Sequence, residues 1–347
     1  MSNLQIGLAI AGGLVLAAVV AHGAWSARKN APRQARLDRT EGDSGLDEGR
    51  EPVLEVSALD HAPFTLPTVS RRPVMDSLID VIATIALDSH VSAVSGEAVL
   101  AAMPATRRVG SKPFAIEGYN LHTMVWEPPV AGQRYGGFQA GVQLANRSGA
   151  LNEIEYSEFV VKTQAFSDAI NATPEFPEML DEVARARELD QFASAHDAQL
   201  GFTIRARNAS WSPGYIQQHA ASLGFVVGVI PGRMVLPASE EGQAPVLVLS
   251  FDSQAALAED PAQSAIRDIT LHLDVAQVAR AEHPFERMRE AAFTLASNMD
   301  GVVTDDNGQP LAAQTMDVIG VELQSLYATL EQRDLAAGSM LARRLFS

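Results

Sequence analysis

The longest apolar stretch of the chain lies at its N-terminal end, where hydrophobic and small residues run almost without interruption from Leu4 to Trp25. As a helix, this stretch is roughly 33 Å long at about 1.5 Å per residue, enough to cross a hydrocarbon core of about 30 Å. Positive charge follows the run at Arg28 and Lys29, whereas a secretory signal peptide carries its positive charge before a shorter apolar region. The pattern predicts a transmembrane anchor over residues 1–27, with Trp25 at the interface and the following chain in the cytoplasm.

Residues 28–72 have no apolar period and are rich in Arg, Asp, Glu, Gly and Pro. A segment of this composition cannot bury enough apolar surface to offset the entropy lost on ordering. It is predicted to be a flexible linker.

Short apolar segments and amphipathic ones then alternate, which predicts a first α+β unit over residues 73–199. Its predicted strands are Leu78–Ile85, Pro113–Tyr119, Phe138–Ala145 and Val160–Phe166, and its predicted helices are Ser95–Met103 and Phe176–His196.

A second α+β unit is predicted over residues 200–336. Ser212 and Pro213 are typical of an N-cap and a first helical position, and Gly224 is typical of a helix end. The predicted strands are Gly201–Arg207, Phe225–Val229, Val246–Phe251, Ile269–Leu273 and Val302–Thr304, and two further helices begin at Pro284 and Leu311.

Corresponding elements of the two units lie about 105 to 120 residues apart, for example Ser95 with Ser212 and Pro177 with Pro284. The predicted fold is therefore a single N-terminal transmembrane helix followed by an α+β fold in two diverged tandem units. In each unit, helices pack on one face of an antiparallel sheet. The first unit is predicted to lack the final helix, and residues 337–347 to form a tail.

Composition excludes several function classes. The net charge of −16 argues against a nucleic-acid partner, and the absence of cysteine excludes disulfides and thiolate chemistry. No nucleophile elbow, Walker loop, zinc-protease or dinucleotide motif is present, and no two of the eight histidines are four residues apart. We therefore expect no enzyme activity, no cofactor and no metal. The acidic cluster Glu153, Glu155 and Glu158 is interpreted as a solvated face, with a cation site as the alternative.

The second unit offers a candidate binding surface, because helices on one face of its sheet leave the other face open. Alternation along the strands predicts outward positions at Thr203, Arg205, Thr270 and His272, with Ile230 and Phe251 near strand ends as apolar anchors. A shallow mixed face of this kind suits a short peptide better than a small substrate. An ordinary solvated sheet face is the alternative.

Three features of the chain resemble the ZipA family of bitopic bacterial division proteins. The anchor ends in the sequence VAHGAWSARK, a linker follows, and Phe285 to Glu331 contains LASNMDGVVTDD and QPLAAQ before a last helix. The resemblance covers residues 1–36 and about 200–347.

The resemblance implies an α+β C-terminal domain whose exposed sheet face receives the C-terminal peptide of FtsZ. The family's contact positions fall near Thr203, Arg205, Ile230, Phe251, Ser253, Thr270 and His272. Several apolar contacts of the family are polar in this chain, and the linker is much shorter.

The expected function is a non-enzymatic tether that anchors FtsZ filaments to the cytoplasmic face of the inner membrane and supports Z-ring assembly and septation. The resemblance implies a single-pass inner-membrane protein with a periplasmic N-terminus. The alternative is a membrane-anchored scaffold or sensor that binds another envelope protein or itself.

Overall fold

A computed structural model describes Arg33, residues 75–305 and residues 307–347. The predicted anchor and its flank, with Trp25, Arg28 and Lys29, lie outside these residues, as does the predicted linker apart from Arg33. No helix in the described ranges is both long and apolar enough to cross a membrane. The described chain is α+β with antiparallel sheets and forms two compact units, which divide between residues 194 and 195, with Arg33 in the C-terminal one.

The first unit contains a seven-stranded antiparallel sheet with the order β3-β4-β6-β1-β9, in which β2 pairs with β6 and β5 with β4, and a separate β7-β8 hairpin. Its strands are β1 Asp80–Leu87, β2 Val94–Ser95, β3 Arg108–Val109, β4 Lys112–Asn120, β5 Trp126–Glu127, β6 Arg134–Gln143, β7 Ala145–Asn146, β8 Gly149–Ala150 and β9 Ala172–Glu175. Its helices are α1 Gly96–Ala102, α2 Glu153–Ala169 and α3 Met179–His196.

The prediction of a strand at Val160–Phe166 is wrong, because these residues lie within α2. Asn152 caps this helix by accepting from the amides of Ile154 and Glu155, and the Glu155 carboxylate accepts from the Asn152 amide in return. Tyr156, Phe159, Thr163, Phe166 and Ser167 are buried at helical spacing. The rings of Phe159 and Phe166 pack on Phe114 and Phe138 of the sheet, with centroids 6.1 and 5.6 Å apart.

The second unit contains a six-stranded antiparallel sheet with the order β11-β12-β13-β14-β10-β15. Its strands are β10 Gln199–Ala206, β11 Val226–Val227, β12 Arg233–Leu236, β13 Leu247–Ser250, β14 Asp268–Asp274 and β15 Gly301–Thr304. Its helices are α4 Pro213–Ala221, α5 Ser253–Ala256, α6 Pro284–Met299, α7 Ala313–Glu331 and α8 Met340–Leu345, with 3-10 turns at Pro261–Gln263, Val275–Gln277 and Arg280–Glu282.

Helix α6 supplies much of the core of this unit, as its periodicity predicts. It begins at Pro284 and ends directly before Asp300 and Gly301. The residues predicted to be inward are all buried, namely Phe285, Met288, Ala292, Leu295 and Met299. The helix packs on β10, β14 and β15, so this face of the sheet is covered.

The two units share one order of elements. In each main sheet, the first strand lies between the last strand of that sheet before a long helix and the strand that follows the helix: β1 lies between β6 and β9, and β10 between β14 and β15. A final helix follows in both units, α3 in the first and α7 in the second. The prediction that the first unit lacks this helix is therefore wrong, and α3 corresponds to α7 rather than to α6.

The segment predicted as a tail contains α8, which packs on the second unit. Ala342, Leu345 and Phe346 are buried, and the side-chain amide of Gln277 donates to the carbonyl oxygen of Phe346 at 2.7 Å.

Candidate functional site

The sheet of the second unit has one core face and one open face, and strand alternation decides which side chains lie on each. On β14, Ile269, Leu271 and Leu273 are buried, while Thr270 is half-buried and His272 is exposed. The same alternation holds on β12 and β13. On β10, Phe202 and Ile204 are buried while Thr203 is half-buried and Arg205 is exposed. Thr203, Arg205, Thr270 and His272 therefore all lie on the side away from the core. We call the open side the outer face.

Three valines, a histidine and a glycine form a continuous row across the outer face. The antiparallel register places Val226 opposite Val235, Val235 opposite Val248, and Val248 opposite His272, which in turn lies opposite Gly201. Directly paired residues project from the same side of a sheet. We call it the apolar row after its three valines, on β11, β12 and β13. The whole row crosses five strands, about 19 Å at about 4.8 Å per strand.

Polar side chains form a second row beside it. The polar row consists of Arg233, Ser250, Thr270 and Thr203, which follow one another across four strands in register. The row ends at Thr304 on β15, which is 2 % exposed and donates its hydroxyl to the carbonyl oxygen of Thr203 at 3.3 Å. An extended or helical peptide that lies along both rows meets apolar surface on one side and hydrogen-bonding groups on the other.

A cavity of about 480 Å³ lies where the apolar row reaches β14. Val248 and His272 of the apolar row line it together with Arg233 and Ser250 of the polar row, and Pro245 and Gln277 line it beyond the strand ends. The cavity is open to solvent and can accept side chains of a bound peptide.

Two arginines give the outer face different electrostatic roles. Arg205 pairs with Asp268 on the neighbouring strand, with Nε and Oδ1 2.8 Å apart. Arg233 is exposed and forms no ion pair with any carboxylate in the described part of the chain. Its guanidinium therefore remains available to an anionic group of a ligand.

The remaining predicted site residues lie away from the two rows. Ile230 is 54 % exposed in the turn between β11 and β12, and Ser253 is exposed at the start of α5. The turn approaches Ser253 closely, because a Cβ on Gly232, whose φ is +74°, would lie 3.0 Å from the Ser253 Cα. Phe251 is only 9 % exposed and belongs to the core, so it presents little surface to a peptide.

Val235, Val248 and Arg233 complete the outer face and were not predicted as site residues. The alternation of buried and less buried residues within Arg233–Leu236 and Leu247–Ser250 could have identified them as outward positions. The strand that contains Val235 was not predicted, and without it the row could not be recognised.

The first unit contains a buried polar network around Lys112. The Lys112 ammonium group donates to Ser111 Oγ at 2.7 Å and to Asn146 Oδ1 at 3.0 Å, while Glu155 Oε1 accepts from the Ser111 amide at 2.9 Å. Burial lowers the pKa of Lys112. Because these groups form hydrogen bonds with one another, we interpret the network as a stabilising feature of the fold and not as a binding site.

The carboxylates of the acidic cluster on α2 form ion pairs or cap the helix. Glu153 pairs with Arg187 at 2.8 Å, Glu158 pairs with Lys162 at 2.7 Å, and Glu155 serves as part of the helix cap. Within the ranges that the structure describes, no group of three or more metal-ligating side chains is present.

One comparison with known proteins bears on this face. Residues 239–320 match the family model described as the ZipA C-terminal FtsZ-binding domain. The resemblance to ZipA predicted from the sequence is therefore confirmed for this segment. The segment includes Val248, Ser250, Thr270 and His272 of the outer face. No curated protein matches the chain.

Proposed function

We propose that the chain is a non-enzymatic cell-division protein whose outer face binds the C-terminal peptide of FtsZ. The observation that carries this proposal is the apolar row, because its centre at Val248 and His272 lies within the segment that matches the FtsZ-binding domain. The matching family model describes a binding domain and not an enzyme. A non-enzymatic role agrees with the absence of catalytic motifs from the sequence.

The geometry of the face supports binding by avidity. A row about 19 Å long and open to solvent provides little buried surface for one peptide. Many peptide tails on one filament, each meeting a receptor held on one membrane, convert such a weak contact into a stable attachment.

The proposed tether also requires the N-terminal anchor. The apolar run over residues 1–27 and the positive flank at Arg28 and Lys29 support a single-pass inner-membrane protein with both α+β units in the cytoplasm. Attachment of FtsZ filaments there would support Z-ring assembly and septation.

Peptide binding is tested by titration of the full chain in detergent micelles against a fluorescently labelled C-terminal peptide of FtsZ from the same organism. We expect saturable binding in the micromolar range, read by fluorescence anisotropy. Absence of binding by protein whose circular dichroism shows it to be folded would refute the proposal.

Topology is tested independently, because the chain contains no cysteine and single cysteines can be introduced cleanly. A membrane-impermeant maleimide should label Ser2→Cys in intact spheroplasts and Ser347→Cys only after lysis. The reverse pattern would contradict the proposed orientation.

A scaffold that associates with itself is the second candidate function, favoured by the exposed apolar edge of the sheet. Val226, Val227, Val229 and Ile230 are each at least half exposed on β11 and its turn, and β11 is an edge strand. An apolar edge strand is a site for strand pairing between chains. Dimers by analytical ultracentrifugation, without FtsZ-peptide binding, would support this candidate over the tether.

A further inference from the structure

Arg33 contacts the C-terminal unit, although it precedes that unit by the whole first unit. Its amide donates to the carbonyl oxygen of Ser210 at 2.8 Å, and its carbonyl oxygen accepts from the amide of Ser212 at 3.0 Å. These two bonds form a parallel β-bridge with Trp211, which is fully buried. Arg33 therefore lies against this unit in an extended backbone conformation.

The Arg33 side chain reaches the C-terminal end of α6. Its Nη1 donates to the carbonyl oxygen of Met299 at 3.1 Å, and its Nη2 donates to Asp300 Oδ2 at 3.0 Å. The same Met299 oxygen accepts from Trp211 Nε1 at 2.8 Å. The guanidinium thus binds the last turn of the helix and the residue that caps it.

The electrostatics of this end of the helix favour a cation. The C-terminus of a helix carries a partial negative charge and unpaired carbonyl groups. Asp300 adds a full negative charge there, in a left-handed conformation with φ of 55°. Arg33 supplies the complementary charge, and Asn208 donates a further hydrogen bond to Asp300 at 3.1 Å.

We propose that Ser210, Ser212, Met299 and Asp300 form a binding site for Arg33, which holds the C-terminal unit close to the predicted anchor. We call this the Arg33 site. Residues between Arg33 and the C-terminal unit, including the whole first unit, then form an insertion between two segments that belong to the C-terminal unit.

The consequence for the membrane rests on the proposed function. Arg33 follows the predicted anchor by about six residues, and an extended chain covers at most about 3.6 Å per residue. The Arg33 site would therefore lie within about 20 Å of the bilayer surface. Filament contact would be made at the membrane rather than at the end of a long tether.

Hydrogen exchange of the full chain in detergent micelles, without FtsZ, tests the site directly. The amides of Arg33 and Ser212 should exchange at least about tenfold more slowly than the same sequence in an unfolded chain. Arg33→Ala should accelerate Ser212 exchange about tenfold, and Asp300→Asn should have the same effect while tolerating the left-handed conformation. Arg289→Ala, which removes an arginine charge from an ion pair with Asp317, should leave the exchange rate of the Ser212 amide unchanged.

Exchange of the Arg33 amide at the unfolded rate, or Ser212 protection that survives both variants, would overturn the proposal. The outer face does not include Arg33 or Asp300, so the FtsZ-peptide affinity of these variants should equal that of the parent. Failure of the Arg33 site and failure of FtsZ binding are therefore distinguishable.

The distance to the membrane is tested by energy transfer in nanodiscs, from a dye on Ser297→Cys, an exposed position of α6, to a dye on lipid headgroups. Arg33→Ala should lower the transfer efficiency, and Arg289→Ala should not. Equal efficiencies in both variants and the parent would overturn the membrane-proximal placement.

Discussion

Val248→Ala is the sharpest test of the outer face, because Val248 lies at the centre of the apolar row and within the cavity. Its side chain is half-buried in the free protein, so it has apolar surface left for a ligand to cover. Alanine removes two carbon atoms and introduces no charge or polar group. The matched control is Val321→Ala, which makes the same change at a valine of α7 that is 72 % exposed.

The magnitude follows from the surface that a bound peptide would cover. Burial of one CH2 group contributes about 0.8 kcal/mol, so full coverage of the two lost carbons corresponds to about 1.6 kcal/mol. Because Val248 is already largely buried in the free protein, a peptide can cover only part of this surface, and the loss is at most about half of this value, about 0.8 kcal/mol. We therefore expect the Kd for the FtsZ peptide to rise about 2- to 4-fold. The cost to fold stability should stay within about 1 kcal/mol, the span of strand propensities.

The assay is fluorescence anisotropy with the full chain and the labelled FtsZ peptide, with thermal unfolding measured on the same samples. Val321→Ala should bind with the affinity of the parent. An unchanged Kd for Val248→Ala would refute the assignment of the apolar row as the binding surface. Equal weakening by both variants would show that the effect does not arise at this face.

Three further predictions concern stability and protonation. Phe251→Ala should destabilise the protein by about 3 to 5 kcal/mol, because it leaves a cavity in the core, and thermal unfolding would show this; full stability would contradict its burial. Burial, with a smaller effect of Arg33, lowers the pKa of His219 from 6.5, so the unfolded chain protonates first and stability falls as the pH drops below 6.5. NMR titration should show a higher His219 pKa in Arg33→Ala, and an identical value would contradict the contact. The buried Tyr327 hydroxyl has no hydrogen-bond partner in the described chain, so Tyr327→Phe should raise the free energy of unfolding by about 1 kcal/mol. Burial raises the pKa of Tyr327 to about 12, and that of Tyr156 likewise, so between pH 10 and 12 the parent should lose more stability than the variant, which keeps only Tyr156 of the two, as chemical denaturation at each pH would show.

Local signals predicted the second unit well. Ser212 and Pro213 begin a helix as expected, and the Ser212 hydroxyl accepts from the Tyr215 amide at 3.2 Å. The period of α6 identified its buried residues, because a helix shows the same side to the core every three to four residues. These features depend on residues within one or two turns of each other.

The errors arose where a short apolar run fits two periods. Val160–Phe166 resembles a buried strand, yet the cap formed by Asn152 and Glu155 begins a helix eight residues earlier. Because that run was assigned as a strand, α2 was missed as a helix. The next helix, α3, was then aligned with α6 of the second unit. Phe251 was expected at the surface because it lies near a strand end, but its position in the alternation of β13 places it in the core.

The sequence by itself determined the caps of α4, the buried side of α6 and the outward positions of β10 and β14, because caps and periodicity act between near neighbours. Only the tertiary structure decided that Val226, Val235 and Val248 lie in one row, since strand order and register depend on packing between distant segments. The contact of Arg33 with Met299 is the extreme case, because it joins residues 266 positions apart. No local pattern contains that pairing, and it exists because the end of α6 and the start of α4 are brought together by a shared core.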